Sequence, residues 1–267
     1  MALNKEIWAN DIKPLLLPDN SFITKGTDYS AFADNKQIHI PVDTGSINVE
    51  VDRKVLPGEV TTTQAEEQSI YMHHFTTDPV RVYRPEDIEL SFDKRAVIVK
   101  KIADSVNNKI AACAIGALET CGFTTATGNK VLEWVRAAAL AFDQKDYPDT
   151  DRYLMLTADN YSKLLKELTD SQANAFLNVA NASTGVLGQL FGFNILKRSS
   201  LGHSYIVPSD APDSVDPGNP QFIAWHKRDY MFAMSDLEIF AQENAPEYYG
   251  TVISASVRFG AFGNGMF

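Results

Sequence analysis

The sequence predicts an α+β fold built around one long helix. Three observations support this prediction. Apolar and polar residues alternate strictly over residues 47–52, apolar residues recur at steps of three and four over 91–121, and short strands mix with a helix over 151–267. Hydrophobic residues make up 45% of the chain and charged residues 22%, which is typical of a folded globular protein and excludes generic disorder.

Residues 1–46 predict an extended N-terminal arm, because turn formers interrupt their apolar residues and no period is sustained. A ribbon of strands follows over 47–85. Ile47, Val49 and Val51 alternate with polar residues, and further strands are expected at 70–77 and 80–83. A lone hairpin is marginally stable in water, so the arm and ribbon should need cover from outside their own segment.

Residues 91–121 predict a single amphipathic helix with Ser91 as its N-cap and Gly122 as its stop. A second helix is expected at 130–142. The second half predicts a strand at 152–156, a helix at 158–168 capped by Thr157, a surface loop at 209–220, and strands at 191–198, 204–207, 222–225, 230–234, 238–241 and 251–259.

The charge balance argues against one class of function. The formal net charge is −10, which argues against sequence-specific DNA binding. No apolar segment approaches the roughly 20 residues of a membrane span, and residues 1–10 lack a signal-peptide core. The helical spacing of Cys113 and Cys121 turns their side chains to different sides, which favours a reducing compartment over a disulfide.

Enzyme motifs are absent from the sequence: it contains no Walker A loop, G-x-G-x-x-G, H-E-x-x-H or G-x-S-x-G. Neighbours on a strand point to opposite faces, so His73 and His74 are not expected to share a metal. His226 is interpreted as part of a polar turn, and Asp143 with Asp146 as solvated loop charges. We therefore expect no catalytic residue, cofactor or metal, and a small enzyme with an unrecognised site remains the alternative.

The long helix carries a basic side, formed by Lys94, Arg95, Lys100, Lys101 and Lys109. A solvated surface is the preferred interpretation of this side. The alternative is a face toward packaged nucleic acid that binds phosphates without reading sequence.

The order of arm, ribbon, long helix, mixed α and β half and terminal strand resembles the Hong Kong 97-like major capsid proteins of tailed phages. The segments that carry this resemblance are 47–83, 91–121, 152–168 (RYLMLTADNYSKLLKEL), 184–201 (TGVLGQLFGFNILKRSSL), 222–242 (FIAWHKRDYMFAMSDLEIFAQ) and 251–265 (TVISASVRFGAFGNG). The resemblance covers most of the chain but rests on segment order, since the family has no short invariant motif.

The resemblance implies an N-terminal arm (1–46), an extended loop (47–85), a peripheral domain with a spine helix (86–150), an axial domain (151–245) and a strand returning to the peripheral domain (246–267). It also implies pentamers and hexamers in an icosahedral head that encloses double-stranded DNA, with assembly in the host bacterial cytoplasm and localisation in the virion. A portal and a separate scaffolding protein are the expected partners. No contact with a membrane is expected. An encapsulin-like nanocompartment, which shares this fold but encloses protein cargo, is the main alternative.

Cohesion of such a shell must come from surfaces that one subunit leaves uncovered. We expect the ribbon around Val49, Val51, Ile70 and Tyr71 to lie over a neighbouring subunit. The arm should pack along another subunit. Its contact residues are expected to be Leu15, Leu16, Leu17, Ile38, Ile40 and Val42.

Overall fold

A computed structural model describes residues 21–43, 52, 65–83, 94–126, 128–180, 183–206, 215–245, 247 and 249–265. Its strands in chain order are β1 (Thr27–Asp28), β2 (Gln37–Asp43), β3 (Ala65–Tyr71), β4 (His73–Thr76), β5 (Val80–Tyr83), β6 (Arg152–Thr157), β7 (Gly188–Leu190), β8 (Phe193–Arg198), β9 (His203–Ile206), β10 (Val215–Gly218), β11 (Phe222–His226), β12 (Tyr230–Met234), β13 (Glu238–Ala245) and β14 (Gly250–Gly263). The helices are α1 (Lys94–Cys121), α2 (Val131–Asp143), α3 (Ala158–Glu167) and α4 (Asp170–Leu177).

A six-stranded sheet is organised around the long strand β14. One edge of β14 pairs with β12 and β13, and the opposite edge pairs with β4 and β5; all four pairings are antiparallel. Strand β1 extends the sheet beyond β12 in a parallel pairing. The last strand of the described chain therefore joins segments that lie nearly two hundred residues before it, as in the pairing of Phe75 with Val257.

A four-stranded sheet in the order β11, β6, β8, β7 occupies the second half of the chain. Its two faces alternate along each strand, as the period of two requires. Leu154, Leu156 and Phe193 pack under helices α2, α3 and α4 in one apolar cluster. Met155, Leu196 and Trp225 point the other way, into the cluster that contains α1. Both faces of this sheet are therefore covered.

Helix α1 connects the two sheets. It has 28 residues, about 42 Å at 1.5 Å per residue. Its buried side, from Ile98 to Cys121, shares one core with Trp225 of the four-stranded sheet and with Val257 and Phe259 of β14. The helix stops at Gly122, whose N–H donates to the carbonyl of Leu118, as the sequence predicts. Residues 91–93, including the expected N-cap Ser91, lie outside the described residues.

Several predicted elements are confirmed. Helix α3 begins after Thr157, whose hydroxyl oxygen accepts a hydrogen bond from the backbone N–H of Asn160. The predicted second helix is α2, displaced by one residue, and strands β11, β12, β13 and β14 lie where alternation and β-branched residues predict them. None of the helices in the described part of the chain combines the length and the hydropathy that a bilayer-spanning helix needs.

Other predictions were wrong in part. Strand β3 pairs with β2, so the ribbon includes residues 37–43 of the predicted arm. Strands β4 and β5, predicted to belong to the ribbon, are part of the six-stranded sheet. Within the predicted surface loop 209–220, residues 215–218 form β10, paired with β9, while the preceding residues lie outside the description. Helix α4 had no counterpart in the prediction.

The predicted division between residues 86–150 and 151–245 does not follow the sheets. Helix α2, placed before that division, packs on the four-stranded sheet through Trp134 and Phe142. Strands β12 and β13, placed after it, belong to the six-stranded sheet with β14. The chain returns from the four-stranded sheet to the six-stranded sheet at the turn between β11 and β12.

Candidate functional site

The base of the ribbon is held to the six-stranded sheet by an apolar cluster. Strands β2 and β3 place Ile38 opposite Ile70. Both side chains are buried, together with Ile40, against Met231 and Ala233 of β12. The other face of the ribbon is polar, with an ion pair between His39 and Glu67 at its surface. The ribbon is therefore one-sided and anchored on its own subunit.

This anchoring corrects part of the predicted inter-subunit contact. Ile38, Ile40 and Ile70 were expected to need a neighbouring subunit for cover, but their own chain buries them to 5%, 8% and 0% exposure. Tyr71 stays half-buried. Val42 belongs to β2, and its side chain lies outside the description, as do Leu15, Leu16, Leu17, Val49 and Val51.

Helix α1 and the segment from His74 to Val80 enclose an open groove of about 540 Å³. Its apolar floor includes Ile98, Ile102 and Val106 of the helix. Lys101 and Lys109, two residues of the predicted basic side, line the same groove and are exposed. Lys100 is exposed but does not line the groove, and Lys94 and Arg95 begin the helix with side chains outside the description. Basic groups and an apolar floor are thus combined on one open surface.

The two adjacent histidines have different surroundings. The ring of His74 hydrogen-bonds the hydroxyl of Ser256 on β14. Burial lowers the pKa of His73 from its ordinary value. Among the residues that the structure describes, no three His, Cys, Asp or Glu side chains are grouped to hold a metal ion.

The two cysteines are buried thiols on α1, and neither forms a disulfide. Burial raises the pKa of Cys113 to about 12. Burial, followed by the charge of Asp229, also raises the pKa of Cys121. Both thiols are therefore in the protonated form at neutral pH and are poor nucleophiles.

A buried arginine organises the loop between α2 and β6, and sequence reasoning missed it. Arg152 is 2% exposed and donates to the carbonyls of Tyr147 and Pro148 at 2.6 and 2.8 Å. It also pairs with Asp143 at 2.7 Å and Asp149 at 3.1 Å. Asp143, interpreted from sequence as a solvated loop charge, is therefore a partner of a buried cation. The i to i+3 spacing of Asp149 and Arg152 was the available signal.

A second polar group lies at the crossing between the sheets. His226 and Asp229 are 7% and 2% exposed, so the turn predicted to be merely polar is buried. The His226 ring bonds the carbonyl of Thr150 through Nε2, and its Nδ1 accepts from the backbone N–H of Arg228, both at 3.1 Å. Tyr147, Arg228, Asp229 and Asp151 surround the ring. This arrangement needs a neutral imidazole with its proton on Nε2.

This geometry predicts that acid destabilises the fold through His226. Burial lowers the pKa of His226 below its ordinary value, despite the opposing charge of Asp229. The unfolded chain therefore binds more protons below about pH 6.5, and the contribution of His226 to the free energy of unfolding is lost as pH falls through that range. We expect His226→Gln to flatten the fall in stability between about pH 7 and pH 5.5, measured by urea unfolding.

A second histidine of the same chain, His73, provides the control for His226→Gln. Burial lowers the pKa of His73 as well, so His73→Gln should flatten the profile separately, and the double variant should be flattest. Equal slopes in the wild type and in His226→Gln would contradict the neutral, buried role of His226. Burial also raises the pKa of Asp229, so the contribution of this carboxyl to the free energy of unfolding decreases as pH rises above about pH 4. Because this effect opposes that of His226, the histidine is isolated by comparing variants and not by the wild-type profile alone.

Solved structures share this arrangement of sheets and long helix. No protein-family model and no curated protein sequence matches the chain. The fold is similar to the capsid structure of the cyanophage P-SCSP1u, with 16% identity over 90% of this chain and 83% of that chain and a TM-score of 0.61. This chain has the Hong Kong 97-like capsid fold. Two further capsids of this fold, those of a GTA (gene transfer agent) particle and of a phage, match over a similar extent.

The capsid of the native GTA particle shows 13% identity over 94% of this chain and 88% of that chain, with a TM-score of 0.61. The mature capsid of bacteriophage PhiM1 shows 9% identity over 91% and 84%, with a TM-score of 0.60. The Hong Kong 97-like fold predicted from segment order is confirmed, and the low identities explain why no short motif reveals it.

Proposed function

We propose that this chain is a major capsid protein that assembles into pentamers and hexamers of an icosahedral phage head enclosing double-stranded DNA. The observation that carries the proposal is the likeness to capsid subunits over at least nine-tenths of the chain. A fold alone does not establish a function. The one-sided ribbon and the open groove on α1 add local support, because each presents surface that a shell of identical subunits could use.

The proposed inter-subunit contacts are the arm, through Leu15, Leu16 and Leu17, and the ribbon, through Val42, Val49, Val51 and Tyr71. Support for this assignment comes from the anchored base of the ribbon. Ile38 and Ile70 hold strands β2 and β3 on the six-stranded sheet, so the described part of the ribbon has a defined position on the subunit. Contacts of about 1,000 Å² or more would suit a lasting shell.

The proposed DNA contact is the basic side of α1, formed by Lys94, Arg95, Lys100, Lys101 and Lys109. Exposure of Lys100, Lys101 and Lys109 supports this assignment. Such a contact would be electrostatic and independent of base sequence. A scaffolding protein and a portal are the further partners proposed, with assembly in the cytoplasm of the bacterial host and residence in the virion.

Electron microscopy of the purified, concentrated chain tests the proposal. The expected result is closed icosahedral shells, and particles produced during infection should contain nuclease-protected double-stranded DNA.

Val51→Asp should abolish shells, whereas Asn48→Asp, on the other face of the same predicted strand, should preserve them. A monomer with a radius of gyration near 18 Å under all conditions would overturn the proposal. Shells that contain a protein cargo and no DNA would favour the nanocompartment instead.

A further inference from the structure

A second, smaller pocket lies on α1, between the helix, the turn at residues 21–24 and the end of β8. It measures about 350 Å³, and its polar lining consists of Ser21, Asn107, Asn108, Arg198 and Ser199. Among the residues that the structure describes, no acidic side chain lines it. The chain as a whole is acidic, with a net charge of −10, so the neutral and positive groups of this described lining differ locally from the overall charge.

Arg198 is the cation of this pocket. Its guanidinium lies over the ring of Phe22, 5.3 Å from the centroid. The side chain is half-buried, and no described acidic residue pairs with it, in contrast to Arg152 with Asp143 or Arg228 with Asp229. Burial lowers the pKa of Arg198. An anion within hydrogen-bonding distance would replace part of the water that the half-buried guanidinium has lost.

The neutral groups around Arg198 are suited to the same kind of ligand. The Ser21 oxygen accepts a hydrogen bond from the backbone N–H of Ile23 at 3.4 Å, which leaves the hydroxyl hydrogen able to donate. The side chains of Asn108 and Ser199 are exposed donors at the pocket wall. An anion with several oxygen atoms can accept from a planar guanidinium fork and from these neutral donors together.

We propose that this pocket binds a phosphate group, with Arg198 as its charged ligand. Inorganic phosphate and a nucleic-acid backbone supply the same chemistry. We assign the backbone of packaged DNA as the source, an assignment that rests on the proposed function. Lys109 follows Asn108 on α1 and is exposed, but it lines the groove beside residues 74–80 and not this pocket.

Thermal unfolding of the purified chain in sodium phosphate and in sodium chloride of equal ionic strength tests the pocket. We expect saturating phosphate to raise the Tm of the wild type by about 3 °C relative to chloride. Arg198→Gln should lose this shift, and in chloride it should unfold no earlier than the wild type, because it lacks the half-buried cation. Arg198→Lys retains the charge but not the fork, so it should retain part of the shift.

Arg136→Gln is the matched control. Arg136 also lies over a phenylalanine ring, that of Phe191 at 5.4 Å, but it does not line the pocket. The control removes the same charge and should keep the full phosphate shift. Equal shifts in Arg198→Gln and Arg136→Gln, or no shift specific to phosphate in the wild type, would overturn the pocket. A third outcome would also overturn the phosphate pocket: Arg198→Gln abolishes assembly, and phosphate does not shift the Tm of the wild type. Arg198 would then pair with a carboxylate from a second copy of the chain.

Fluorescence anisotropy with a labelled duplex of about 20 base pairs tests the source. Arg198→Gln should weaken duplex binding about tenfold and reduce the salt slope by about one, with a smaller change in Arg136→Gln. A phosphate shift that needs Arg198, combined with unchanged duplex binding, would overturn the nucleic-acid assignment and leave inorganic phosphate as the ligand. Both measurements use unassembled chain, so they can succeed or fail independently of shell formation.

Discussion

Gly263→Ala is expected to lower the free energy of unfolding by about 3 kcal/mol and the Tm by about 8 °C. Gly263 lies where β14 crosses the end of α1. A Cβ added there would lie closer to the backbone carbonyl oxygen of Ala117 than any real contact, and 2.9 Å from the Cβ of Cys121. Neither atom can rotate away, so either the strand or the helix must move and disturb the core that joins the two sheets.

The control for this substitution lies two residues further along the chain. At Gly265 an added Cβ would be 3.5 Å from the carbonyl oxygen of Thr120, which is ordinary contact distance. Gly265→Ala should therefore unfold within about 0.5 kcal/mol of the wild type. Urea unfolding followed by tryptophan fluorescence compares the two variants, and equal midpoints would rule out close packing of β14 on α1 as the reason for the glycine.

Arg152→Ala is expected to cost about 3 kcal/mol. The substitution leaves the carbonyls of Tyr147 and Pro148 without their donor. Asp143 and Asp149 are 59% and 89% exposed, so water can solvate them and they add little to the loss. The main cost therefore arises from the buried carbonyl of Tyr147 and from the space left beside Phe142.

Two variants separate these contributions. Arg152→Lys keeps a cation but cannot reach four acceptors in one plane, so it should recover part of the lost stability. Arg136→Ala removes an exposed arginine from α2 and should change the free energy of unfolding by less than about 0.5 kcal/mol. Urea unfolding of the purified variants gives all three values. An Arg152→Ala midpoint equal to that of Arg136→Ala would contradict the structural role of Arg152.

Local signals allowed much of the fold to be predicted. The Thr157 cap and the apolar spacing of α1 depend on residues within a few turns of one another, and both were found. Strand β2 was missed although Ile38, Ile40 and Val42 alternate with other residues, because Pro41 interrupts the pattern typical of a strand. Its pairing with β3 is compatible with proline at a sheet edge. Pro217 hid β10 in the same way.

The sites were less predictable because they join distant parts of the chain. The polar pocket combines Ser21, Asn108 and Arg198, which no local pattern relates. Ile38 and Ile70 are obviously apolar, but the sequence does not show whether their own chain or a neighbour covers them. Once the structure places Met231 and Ala233 beneath them, the question is decided for these residues. The contacts proposed for Val49 and Val51 remain predictions.

The position of β14 in the chain also bears on synthesis. Strands β4, β5, β12 and β13 all hydrogen-bond to β14, which the ribosome makes after every one of them. The pairings of β4 and β5 with β14 have a large sequence separation and therefore form slowly. A nascent polypeptide therefore cannot complete the six-stranded sheet until β14 has left the ribosome.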